Sequence, residues 1–109
     1  MELDMSSFGR AISSARKRKD LSQKELASRI LKEDGESITP QYLNDIEHDR
    51  RNPTSDHLIL QFAKVLGIEA TTLYGLNGML PEEDRRLVRK ATPDEVGDAF
   101  RAFRKTLKS

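Results

Sequence analysis

Apolar residues recur along this chain three and four positions apart, the spacing that gathers side chains on one face of an α-helix. Phe8, Ala11, Ile12 and Ala15 make the first such stripe; Ser6 or Ser7 caps its start and the pattern runs out near Asp20. Leu26, Ala27 and Ile30 make the second. It opens on Ser22-Gln23-Lys24-Glu25, a capping-box pattern in which serine and glutamate side chains each accept from the other's backbone N–H. Thr39-Pro40 predicts a third start, with threonine as N-cap and proline at the first helical position, where a missing N–H costs nothing. Leu43 and Ile46 are the inward residues of this short helix, and Arg50-Arg51-Asn52-Pro53 breaks it. Ser55 caps a fourth helix with the stripe Ile59, Phe62, Ala63 and Leu66, closed by Gly67. A short fifth helix around Ala70 to Leu76 offers Leu73 and Leu76.

After Pro81 the texture changes to a charged stretch, Glu82 to Lys90, followed by a final helix. Thr92 caps that helix, Pro93 takes its first position, and Glu95 completes a second capping box. Val96, Ala99, Phe100, Phe103 and Leu107 form its apolar face. No strand-like alternation persists, so the chain is expected to be all-α, with residues 1–80 as one domain and 81–109 as a helical extension.

Composition narrows the function classes. A length of 109 residues suits one domain, or a small domain with an appendage. The longest apolar run, Leu58-Ile59-Leu60, is far below the roughly 18 residues of a membrane helix, so no membrane association is expected. The acidic opening Met1-Glu2-Leu3-Asp4 lacks the apolar core of a secretory leader, which points to the cytoplasm. Absence of cysteine excludes disulfides, thiolate catalysis and Cys-ligated zinc. His48 and His57 lie beside acidic residues but lack His-x-x-x-His spacing and a third ligand, so neither a metal, a cofactor nor an enzymatic role is expected.

Charge does not single out a partner, because the formal net charge is only +1. If the chain binds nucleic acid, placement of its cations matters more than their sum. The densest basic run, Arg16-Lys17-Arg18-Lys19, serves equally as a helix end offsetting the dipole or as a phosphate contact.

Two short helices joined by a turn and packed among others make a minimal helix-turn-helix reader. The segment Leu21-Ser22-Gln23-Lys24-Glu25-Leu26-Ala27, taken with Tyr42-Leu43-Asn44-Asp45-Ile46-Glu47 and Arg51-Asn52-Pro53, resembles the XRE family, the Cro and phage-repressor type of transcriptional regulator. The resemblance covers roughly residues 6–76. It implies a five-helix phage-repressor-like DNA-binding domain, here with an additional C-terminal amphipathic helix. It also implies a sequence-specific regulator of double-stranded DNA, most simply a repressor on an inverted-repeat operator.

Helical periodicity places Gln41, Asn44, Asp45 and His48 opposite Leu43 and Ile46. Gln41 and Asn44 are the expected base readers, since their amides can both donate to and accept from adenine N7 and N6. Thr39, at the helix entry, is placed for a base or a phosphate. Asp45 either accepts from cytosine N4 or stands as a solvated carboxylate. The resemblance assigns a phosphate to Gln23 at the start of the second helix; Tyr42, Arg50, Arg51 and Asn52 flank the reader and are expected to grip phosphates too. Regulators resembling this one pair the positions of Arg16 and Glu47 inside the domain, so these two are expected to be scaffold. One departure stands out: eleven residues separate Ile30 from Tyr42 where the family pattern has about five, which puts the mutual angle of the two helices in question.

The final helix admits three uses. Val96, Phe100, Phe103 and Leu107 exceed what a five-helix domain needs, and they suit a homodimer seam first. Folding back on the chain's own domain comes close behind. The alternative is a surface for a protein partner, a toxin or an anti-repressor, in an antitoxin-type or accessory protein.

Overall fold

The computed structural model describes residues 2–53 and 55–108. Among them run seven helices: α1 (Phe8–Arg18), α2 (Gln23–Arg29), α3 (Pro40–Glu47), α4 (Asp56–Leu66), α5 (Ala70–Leu76), α6 (Glu82–Lys90) and α7 (Pro93–Lys108). They fall into two compact units, Met1–Met79 and Leu80–Ser109.

Most helix starts are set by local side-chain chemistry. Ser7, Ser22, Thr39 and Ser55 each accept a hydrogen bond from a first-turn backbone amide, which satisfies a donor the helix itself cannot. Glu25 Oε1 returns a bond to Ser22 N at 3.0 Å and closes the capping box. Gly67 ends α4 in the left-handed region, at φ 69°, where a side chain would be strained.

In the first unit the stripes of α1 to α5 meet in one core. Ile12, Leu26, Ile30, Leu43, Ile46, Ile59, Phe62 and Leu73 have no exposed surface. Phe8 and Phe62 meet edge-to-face, centroids 6.2 Å apart, joining α1 to α4. With seven or eight residues each, α2 and α3 are too short to persist alone and are held by this packing.

The long connection between α2 and α3 is clipped at its base. Ile38 N donates to Ile30 O at 3.0 Å, and both isoleucines are buried, so the chain leaves and re-enters the core at neighbouring points. The intervening residues form a small solvent-exposed loop. Leu31 and Ser37 pair as an isolated antiparallel bridge, Lys32 N donates to Glu36 O at 2.8 Å, and Gly35 supplies the turn at φ 88°. The extra residues thus stand outside the two-helix unit.

The charged stretch Glu82 to Lys90, given no helix of its own by the apolar pattern but lying in the expected helical extension, is helical. Its sign order explains this: Glu82, Glu83 and Asp84 occupy the first turn and Arg89 and Lys90 the last, each complementing the helix dipole. Glu82 also pairs with Arg86 one turn later at 3.0 Å. In α7, Thr92 and Glu95 exchange the capping-box bonds expected of them. Neither α6 nor α7 contains a buried residue, and Leu87, Phe103 and Leu107 are largely exposed.

Candidate nucleic-acid interface

Helix α3 is anchored from behind and open in front. Leu43 and Ile46 sit in the core, while Thr39, Gln41 and His48 are exposed and Tyr42, Asn44 and Asp45 half-buried. Thr39 Oγ1 accepts from Tyr42 N at 3.1 Å, so its hydroxyl oxygen serves the cap.

The anchor is polar as well as apolar. Arg16 Nε and Nη2 donate to Glu47 Oε2 and Oε1 at 2.7 and 2.9 Å, a bidentate pair whose side chains are only 12% and 3% exposed. Arg16 Nη1 donates to Leu21 O at 2.9 Å, and Gln23 Nε2 donates to Glu47 Oε1 and Asn44 Oδ1, both at 3.1 Å. One carboxylate–guanidinium pair therefore ties α1, the turn before α2, α2 itself and α3. Gln23 and Asn44 are brought together here, so each spends side-chain capacity on the other. Gln23 keeps its main-chain N–H at the first turn of α2.

A second lock joins the end of α3 to the start of α1. Asp49, at φ 58°, accepts from Gly9 N at 2.9 Å and from Ser7 Oγ at 2.7 Å. The backbones meet closely there: a Cβ on Gly9 would lie 2.4 Å from Ile46 O, so only glycine fits. A third lock is the Asn77 side chain, which donates to the carbonyl of buried Pro53 at 2.7 Å and fixes the chain beyond the reader.

On the open flank the polar residues are organised among themselves. Asp45 Oδ1 accepts from Gln41 Nε2 at 3.2 Å and from Arg50 Nε and Nη2 at 3.1 and 3.0 Å. Asp45 is therefore not a solvated carboxylate, because Arg50 pairs with it. The Arg51 guanidinium stands 5.2 Å from the Tyr42 ring centroid, a cation–π contact that stations it beside the helix, and Asn52 follows, exposed.

Three further side chains belong to this surface. His48 Nδ1 lies 2.8 Å from Asn44 O; a carbonyl only accepts, so Nδ1 carries the proton in this contact. Arg10 and Lys17 of α1, with Gln23, His48 and Asp49, line a polar cleft of about 370 Å³ beside the reader. In the sequence their only signals were an isolated arginine, a basic run with two readings and a histidine on the polar flank. Among the described residues no group of three or more His, Cys, Asp or Glu is placed to hold a metal, and no helix is long and apolar enough to cross a membrane.

Comparison with known proteins agrees with this geometry. Residues 12–73 match the helix-turn-helix family. Among solved structures the chain is similar to one from the SinR protein/SinI protein complex, at 29% identity and a TM-score of 0.51, covering 93% of this chain and 94% of that one. No curated protein matches it.

Proposed function

Because this chain belongs to the XRE-type helix-turn-helix family and is thereby a DNA-binding transcriptional regulator, we propose that it represses by occupying an inverted-repeat operator as a homodimer. One observation carries the reading: the flank of α3 bearing Gln41, Asp45 and His48 reaches solvent while Leu43 and Ile46 behind it are wholly buried. A short rigid helix with that polarity fits a major groove. Gln41 and Asn44, with Thr39 at the entry, meet base edges. Tyr42, Arg51 and Asn52 on one side, and the Gln23 main chain with Arg10 and Lys17 on the other, meet phosphates. In this reading the protein works at the nucleoid, in the cytoplasm.

Dimerisation rests on the second unit. Without a buried residue of its own, α7 presents Val96, Phe100, Phe103 and Leu107 as a stripe that a second copy would cover. Two readers then address half-sites about 34 Å apart, one helical turn of DNA. A second use of the stripe, docking of a different protein, is favoured by the similarity to a chain of the SinR protein/SinI protein complex.

Selection of bound duplexes from a random pool, with sedimentation of the free protein, tests both parts. Enrichment of an inverted repeat by a sedimenting dimer is expected. A pool that stays random removes the operator; a monomer enriching a single site removes the homodimer.

A further inference from the structure

The Gln41–Asp45–Arg50 array does more than cancel a charge. Gln41 and Asp45 lie one turn apart on the open flank of α3 and share the oxygen Asp45 Oδ1. Arg50 reaches the same oxygen from the turn beyond the helix. It is tied twice, because its backbone N–H also donates to Asp45 O at 2.9 Å. Its side chain remains 54% exposed while that of Asp45 is 22% exposed, so the carboxylate lies beneath the guanidinium.

A guanidinium has five N–H donors in a planar fork. Here Nε and Nη2 are turned to Asp45. The Nη1/Nη2 edge is left as two parallel donors, the pattern complementary to guanine N7 and O6 in the major groove. Phosphate would accept the same fork, but two observations favour the base. The guanidinium is held on the open flank of α3, on the same carboxylate oxygen that takes Gln41, whereas Arg51 is the cation drawn aside onto Tyr42. It is also compensated by a carboxylate, which weakens long-range attraction for a polyanion and leaves directional hydrogen bonding intact.

We infer that Arg50, held in register by Asp45, reads a guanine in each half-site, with Asp45 acting as its positioning residue. The inference rests on DNA binding by α3 as argued above.

The test uses the full chain and its selected duplex. Wild type is expected to fix one guanine per half-site, and replacing that guanine by 7-deazaguanine, which lacks N7 but pairs normally, should weaken binding roughly five-fold or more. Arg50→Ala should bind guanine and 7-deazaguanine duplexes alike and lose the preference at that position only. Asp45→Asn keeps an acceptor but removes the charge; it should relax the guanine preference while tightening binding to unrelated DNA. Circular dichroism checks that both variants fold. If Arg50→Ala weakens every duplex equally, reduces the salt slope by about one and leaves the selected motif unchanged, Arg50 is a phosphate clamp and the inference is overturned. Wild-type protein that binds no duplex overturns the DNA-binding reading and this inference together.

Discussion

The residue with the greatest leverage on the reader is Glu47. Its two oxygens collect three donors, two from Arg16 and one from Gln23. An intact buried pair of this kind contributes little net stability, since two charges must be desolvated to form it. Breaking it is a different matter, because a guanidinium only 12% exposed is then left uncompensated. Glu47→Ala is expected to destabilise the first unit by about 3–5 kcal/mol, read as a lowered Tm and a lowered denaturation midpoint. Arg16→Met, which removes the charge but keeps the stem, leaves the more deeply buried Glu47 carboxylate with the Gln23 amide and should cost about as much. Equal melting of Glu47→Ala and wild type would show that the pair holds nothing. Residue chemistry of this sort was partly legible in the sequence: the spacing of Leu43 and Ile46 located the buried face, and the resemblance supplied the Arg16–Glu47 pairing. The Asp45–Arg50 bond was not legible, because it depends on how the turn after α3 bends back, and that bend rests on Asp49 at φ 58°.

At the scale of elements, legibility followed how local the determining force was. Caps act within three residues, so Ser22, Thr39, Ser55 and Thr92 marked four helix starts without any tertiary information. The α2–α3 connection was legible as an excess of residues but not as a clipped loop, since its closure depends on Ile30 and Ile38 meeting across the insertion. Helix α6 was not delimited within the expected helical extension because its support is charge order, not an apolar stripe. The α2 capping box also makes a pH prediction. Hydrogen bonds from the backbone and then the hydroxyl of Ser22 hold the Glu25 carboxyl below the ordinary glutamate range, and those in the Thr92 box do the same for Glu95. A lowered folded-state pKa means that the unfolded chain takes up the proton first as acid is added. The contribution is therefore complete above the ordinary glutamate pKa and drains away as pH falls through the folded value. Glu25→Gln keeps an acceptor for Ser22 N but cannot titrate, so its Tm should fall less than that of wild type between about pH 7 and pH 3. Parallel Tm curves for the two proteins would assign acid sensitivity elsewhere.

For the whole molecule the two units divide the work unequally. The first carries a complete core and a reader braced by three polar locks, whereas the second has helices with no buried side chain. An amphipathic helix whose stripe is at most half-buried forgoes about 25 cal/mol for each Å² of apolar surface left in water, and a partner that covers the stripe recovers it. Phe100 and Phe103 already meet edge-to-face at 6.4 Å, so the stripe is partly organised before any partner arrives. Phe103 and Leu107 are its most exposed large members, and replacing both by glutamate should leave the first unit's fold untouched while making the stripe unable to pair with a copy of itself. The expected outcome is a monomer by sedimentation whose Tm for the first unit is unchanged. Its affinity for a single half-site should match that of wild type, while its affinity for the inverted repeat collapses to that half-site value. The loss on the full repeat measures the effective concentration that pairing supplies, on the order of 10²-fold or more for two readers rigidly spaced on one duplex. A double variant that still sediments as a dimer would move the seam off this face of α7; one that stays a dimer and also keeps full affinity would show that α7 has no part in presenting the readers to DNA.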